Sequence, residues 1–197
     1  TLTQARMELV AIIPHGVDEK IVLANAIANA DVVLENPDDA PEVWKISGRP
    51  VEVALVRASG VKGVLRISPE RLVDRFPFSS VHKFAGTMYR EGDAVHLGVF
   101  GAPEILLGYT RLTSEERAKI EAEIAARAKA GGRVLGVLGK KFDHEPPPIK
   151  DALEARDLNF LGLVVFRDPL RPTVAHAIRR IGQAGVRQRL LGPHDPL

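Results

Sequence analysis

The sequence has no cysteine among its 197 residues, which excludes disulfide staples and thiolate metal sites and fits a cytosolic setting. Long apolar runs are missing too. The longest, at 160–166, is strand-sized, short of the roughly 18 residues that suggest a membrane span. There is no basic tract: 27 Lys and Arg are mixed with 25 Asp and Glu for a net charge of +2. The pI near 9.0 therefore reflects a small excess of bases. Nucleic-acid binding wants a clustered basic face, and the nearest candidate, Arg179 with Arg180, is too short. The six histidines show no paired metal-ligand spacing, and the acids form no metal cluster. No Ser-His-Asp arrangement and no G-x-x-x-x-G-K phosphate loop occurs. No signal-peptide pattern, initiator Met, internal repeat or low-complexity segment is present, and the N-terminus reads as cut from a longer chain.

What is there suits a chain of one to one and a half domains with a real core: 45% hydrophobic and 26% charged residues. Residues 7–13 read as a strand, stopped by Pro14 and Gly16. Asp18 caps an Ala-rich helix reaching to Ala30. Residues 35–42 are a polar, proline-containing loop, and Pro50 opens a second helix through Ala58. A short strand is expected at 64–67. Thr113 with Glu116 is a capping box at the head of a helix to about Ala130. Gly131 and Gly132 end that helix, and Arg133 begins a strand. The three prolines of residues 144–151 argue against a regular element there. Residues 158–166 read as an apolar strand, and 173–184 as a helix capped by Gly185. Strands alternating with helices argue an α/β or α+β layer structure.

Residues 76–107 read as a hairpin, with strands at 83–89 and 94–100 around a turn containing Gly92. A turn centred between Glu91 and Gly92 would set Lys83 opposite Phe100. Two clusters flank it: Phe78, Ser79, Ser80 and Lys83 on one side, and the Gly-Ala-Pro-Glu turn from Gly101 to Glu104 on the other.

In order, the fragments resemble P-type ATPases. Thr1-Leu2-Thr3 looks like the end of D-K-T-G-T-L-T, and GRPVEVAL (48–55) resembles G-D-P-T-E-x-A-L. FPFSSVHK (76–83) resembles F-S-S-x-x-K, and FGAPEILL (100–107) resembles K-G-A-P-E-x-[IL]-L. GGRVLGVLGKKF (131–142) is similar to G-x-R-[VC]-L-[AG], and LGLVVFRDPLRPTVAHAI (161–178) to G-x-x-x-x-x-D-P-x-R. The resemblance implies a nucleotide-binding domain with an antiparallel sheet of about six or seven strands and helices packed on both sides. Residues 1–10 would be a hinge and the end of the phosphorylation motif, and 11–158 the nucleotide-binding domain. Residues 159–187 would be part of a haloacid-dehalogenase-type phosphorylation domain. Residues 188–197 are left unassigned, a tail that reads as added sequence.

The same resemblance implies ATP as ligand, Mg²⁺ in the full-length enzyme, and the remaining phosphorylation, actuator and membrane domains as partners. The parent would sit in a membrane with this domain on the cytoplasmic side, and the isolated domain would be soluble and monomeric. The phosphorylated aspartate would lie four residues before Thr1, so no catalytic residue is expected in this chain and no turnover by it alone.

For the site, Phe78 is the expected base platform, since base–aromatic stacking contributes about 1–3 kcal/mol. From spacing alone it would be a core residue like Phe76. Glu52 can accept from an adenine amino group or simply complement its helix dipole. Lys83 can reach the base edge or the phosphates, and otherwise is an edge-strand lysine. Ser79 belongs to the same motif. Arg133 suits phosphate contact through its planar fork. Gly101 would let backbone approach a ligand. Asp168 and Arg171 are expected as hinge and phosphate-side residues.

Two departures from the family pattern matter for the site. Phe100 stands where the pattern has lysine, and Ala85 where it often has Met. Weak ATP binding carried mainly by the base is therefore expected. The transported ion lies beyond these motifs, though F-S-S-x-x-K leans toward the calcium, proton and magnesium-type branches. A degenerate domain serving as a regulatory or interaction module is one alternative, favoured by Phe100. A soluble phosphatase with a large cap is another, opposed by the nucleotide-domain motifs.

Overall fold

Proline and cap residues set the first boundaries in the computed structural model, which describes residues 2–64 and 67–184. Strand β1 (Glu8–Pro14) ends at its proline. Asp18 caps α1 (Glu19–Ile27), its carboxylate accepting from the Lys20 N–H at 2.7 Å, which satisfies an otherwise free amide of the first turn. Two short strands, β2 (Val33–Leu34) and β3 (Ile46–Ser47), pair with each other. The loop between them is held by Arg57, whose guanidinium donates to the carbonyls of Pro41, Glu42 and Trp44. Helix α2 (Pro50–Val61) carries proline at its first position, where no N–H is required.

The rest of the chain supplies β4 (Leu72–Phe76), β5 (Phe84–Glu91), β6 (Ala94–Gly101), α3 (Pro103–Leu106), α4 (Ser114–Lys129), β7 (Arg133–Phe142), α5 (Ile149–Glu154), β8 (Asn159–Arg167) and α6 (Val174–Gln183). At the head of α4, the Thr113 side chain and the Glu116 carboxylate each accept from the other's backbone N–H, so the expected capping box is formed.

Six strands make one antiparallel sheet in the order β1-β8-β7-β6-β5-β4. Its central strands are buried on both faces because each face carries helices. On one face Phe84, Met88, Leu97, Val99 and Leu138 pack with residues of α3, α4 and α5. On the other, Phe100, Val137, Leu161 and Val164 pack with Val22, Leu23 and Ala26 of α1 and Ala54 and Leu55 of α2. Alternation along β6 assigns Val95, Leu97 and Val99 to the first face and Phe100 to the second. Helix α1 lies close to the sheet over Gly98 and Gly139, which pair across β6 and β7. A Cβ on Gly98 would meet the Asn25 carbonyl oxygen at 2.9 Å.

Residues 7–167 form one unit, which holds the whole sheet. Of the described residues, 2–6 and 168–184 form a second. Within the second, Thr3 bridges Leu170, and the Gln4 N–H donates to the Pro169 carbonyl at 2.9 Å.

Several expectations are corrected. Residues 72–76 form an edge strand that was not foreseen, because its half-exposed LVDRF pattern lacks a continuous apolar face. Residues 144–148, with the three prolines, are irregular as expected, but 149–151 are the first residues of α5. Pro148 caps α5, whose Ile149 N–H donates to the Asp74 carboxylate at 3.1 Å, so the prolines precede the helix rather than interrupt it. The hairpin register also differs. Glu91 pairs with Ala94 around a Gly92–Asp93 turn, so Phe100 faces Ala85 and not Lys83. Of the strand expected at 64–67, Leu65 and Arg66 lie outside the described residues, and Val64 and Ile67 are not in a strand. Gly185 and the tail are also outside them.

Candidate functional site

The face of the sheet that carries α1 and α2 is only partly filled. Two adjoining cavities, about 690 and 270 Å³, share the walls Asn29, Arg49, Pro50, Glu52, Phe78 and Ala85. The larger extends past Gly86 and Thr87, and the smaller reaches Phe100, Gly101, Arg133 and Leu135. These are dimensions that suit a small molecule, with mostly apolar walls and a few polar groups.

Glu52 is the most constrained of those groups. Its place in the first turn of α2 suits a carboxylate electrostatically, yet the residue is only 5% exposed. Its Oε1 accepts from the Arg49 guanidinium, three residues earlier on the same turn. Its Oε2 is buried and has no hydrogen-bond partner among the described residues. An unmet carboxylate oxygen in an interior carries a desolvation penalty, so such a group asks for a donor.

Phe78 is 46% exposed and lines both cavities, so the core reading suggested by its spacing does not hold. Phe76 behaves differently: it stacks on buried Phe84 with centroids 5.3 Å apart. The Arg49 guanidinium carbon lies 4.6 Å from the Phe78 ring centroid, a cation–π contact. One arginine thus engages both Phe78 and Glu52.

The floor is built by β5 and β6. Ala85, with its small side chain, faces the phenyl of Phe100, and both are more than nine-tenths buried. Asn29, just beyond α1, is fully engaged: its amide donates to the carbonyls of Asn25 and Gly98, and its oxygen accepts from the Thr87 hydroxyl. It is therefore a structural wall of the site.

Glu52, Phe78, Phe100, Gly101 and Arg133 are brought together around the smaller cavity. Ser79 and Lys83 line neither cavity. They build the turn into β5: the Ser79 carbonyl accepts from the Lys83 N–H at 2.8 Å, and the Ser79 hydroxyl accepts from the His82 N–H at 3.1 Å. Lys83 has φ of 59° and an exposed side chain. Gly101 has a packing reason ahead of any ligand, since a Cβ there would meet Phe84 Cβ at 2.3 Å and the Lys83 carbonyl at 2.5 Å. In the second unit, the Asp168 carboxylate accepts from the Arg6 N–H at 3.3 Å, and Arg171 Nε donates to the Thr3 carbonyl at 2.9 Å. Those contacts tie the two chain segments of that unit.

Sequence reasoning missed Arg49 and Asn29. The signal for Arg49 was in the motif itself, where G-D-P-T-E has aspartate and this chain has arginine. Asn29 left no such mark. No three His, Asp or Glu side chains gather into a possible metal cage among the described residues.

A family model described as P-type ATPase, cytoplasmic domain N, matches residues 19–173. This chain belongs to that family. The N domain is 30% identical over 130 residues to calcium-transporting ATPase PAT1 of Dictyostelium discoideum, covering 61% of this chain and 12% of that protein. It is 27% identical over 195 residues to a calcium-transporting ATPase of Bacillus subtilis, covering 91% and 21%. It is 28% identical over 201 residues to plasma membrane-type calcium-transporting ATPase 9 of Arabidopsis thaliana, covering 90% and 18%. The N domain therefore spans about a fifth or less of the length of these relatives. No helix among its described residues is long and apolar enough to cross a membrane.

Proposed function

We propose that this N domain binds ATP by its adenine between Glu52, Phe78, Ala85 and Phe100, within a membrane-bound cation-transporting ATPase. The complete enzyme would use it to present the γ-phosphate to an aspartate outside this chain. The observation that carries the reading is the buried, unpartnered Oε2 of Glu52 beside the half-exposed ring of Phe78. A purine with an exocyclic amino group supplies what both lack: a donor for the carboxylate and a flat face for the ring. Phe100 and Ala85 offer apolar surface to the base, and Arg133 offers a fork to phosphate.

Phosphoryl transfer depends on positioning and on charge neutralisation, which Mg²⁺ would supply at the phosphates. The acids lining the cavities, Asp31 and Glu52, are too few to cage that ion, so in this reading it arrives with the nucleotide. The N domain alone then holds and orients ATP on the cytoplasmic side without hydrolysing it. Lys83, exposed on its turn, remains available to a nucleotide that reaches past the cavity mouth.

Phe100 favours a second reading, a regulatory module without nucleotide, because a buried phenyl replaces the cation of the K-G-A-P-E pattern. A heteronuclear NMR titration with ATP, ADP, AMP and adenosine separates the two. The expected result is saturable shifts at Glu52, Phe78, Ala85 and Phe100 with similar affinity for all four ligands. Absence of shifts at these residues selects the module. Affinity rising steeply with phosphate number contradicts binding carried by the base.

A further inference from the structure

Phe78 and Glu52 are the two side chains a purine would need, and a single side chain already engages both. The Arg49 guanidinium carbon stands 4.6 Å from the centroid of the Phe78 ring, within the layer that a stacked base would occupy. A guanidinium and a base cannot share that face. The same group donates to Oε1 of Glu52 and leaves only Oε2 for a ligand.

We propose that Arg49 is an internal competitor for the adenine position, a specificity- and affinity-setting residue that must leave Phe78 before a base can stack there. This rests on the reading of the cavity as an adenine site. Three features make the arginine displaceable. It is the N-cap residue of α2, but its side chain makes no capping bond, so its departure leaves the helix start intact. Its side chain is 49% exposed, so solvent screens the ion pair it would give up. It also borders the larger cavity as well as the smaller one, which gives the guanidinium room to swing while Phe78 stays in place.

The arrangement has a consequence for selectivity. A ligand reaches the ring only by returning comparable stabilisation to both Phe78 and Glu52. A flat base that also carries an amino donor does so, whereas a ribose phosphate or a base without that donor restores one contact and forfeits the other.

Adenosine is the probe for the test, because removing a cation would weaken ATP through charge alone. Calorimetric titration of adenosine into the whole chain and its Arg49→Gln variant should show about two- to fivefold tighter binding by the variant, the factor expected from loss of an exposed cation–π contact. Equal or weaker binding by a folded variant overturns the competitor role and leaves the adenine site standing. Failure of both proteins to bind adenosine or ATP overturns the site and the competitor together. A second measurement needs only the unaltered chain. The Arg49 side-chain protons should carry a ring-current shift from Phe78 that disappears on saturation with adenosine. Retention of that shift in the bound state overturns the proposal.

Discussion

Ala85 and Phe100 are partners across the β5–β6 pair, and both line the smaller cavity beside Glu52. A small residue facing a large one leaves space that a larger side chain at position 85 would take. Ala85→Met is expected to weaken adenosine binding about tenfold by filling the base position, with a change in unfolding free energy within about 1–3 kcal/mol. Calorimetry and a urea midpoint check the two parts separately. Phe100→Lys should act in the opposite sense on charge, raising the ATP-to-adenosine affinity ratio about tenfold. Its loss of packed phenyl should lower stability by about 3 kcal/mol.

Glu52→Gln tests the acceptor. An amide cannot offer two carboxylate oxygens, and hydrogen bonds to a charged group contribute about 1.5–3 kcal/mol. Adenosine affinity should drop by roughly tenfold or more, with the NMR shifts at Phe78 and Ala85 lost in parallel. Unchanged affinity would remove Glu52 from the site.

Gly101→Ala tests the packing of the hairpin. With Phe84 Cβ at 2.3 Å and the Lys83 carbonyl at 2.5 Å from the added carbon, β5 and β6 must separate. A loss of about 2 kcal/mol or more is expected from a urea midpoint. Gly108→Ala is the control, since none of the described residues lies within 4 Å of its added carbon. It should change stability by no more than about 0.5 kcal/mol.

Tyr89 supplies a pH dependence. Burial pushes its phenol up to about 12, with the nearby Glu91 carboxylate adding to the rise and Arg71 opposing it. The folded state therefore holds the proton more tightly than the unfolded chain, whose tyrosine titrates at about 10. The stability this contributes is complete below that lower value and is lost as the pH climbs to about 12. Phenolate absorbance of a Tyr109→Phe variant should report the late titration directly. A Tyr89→Phe variant should lose stability less steeply over the same interval.

Local chemistry made several elements legible. Asp18 and the Thr113–Glu116 pair act as caps because short-range hydrogen bonds decide them. Pro50 opens α2 because its missing N–H is harmless there. The edge strand at 72–76 and the helix after Pro148 were not legible. The first is held by pairing to β5, and the second by a bond to Asp74, contacts distant in sequence. A displacement of the Gly92 turn by one residue was enough to exchange the partner of Phe100.

The motifs by themselves determined the family, the mixed architecture and the residue types available for a nucleotide. Those follow from residue identity and order, which need no coordinates. Tertiary structure decided which of these residues meet. Packing of α2 against the sheet buried Glu52 with an unpartnered oxygen, while Phe78 stayed half exposed under Arg49. The turn geometry left Ser79 and Lys83 outside both cavities. Burial and cross-strand register are properties of the packed chain as a whole. A motif can name the side chains of a site, and only the fold brings them within reach of one another.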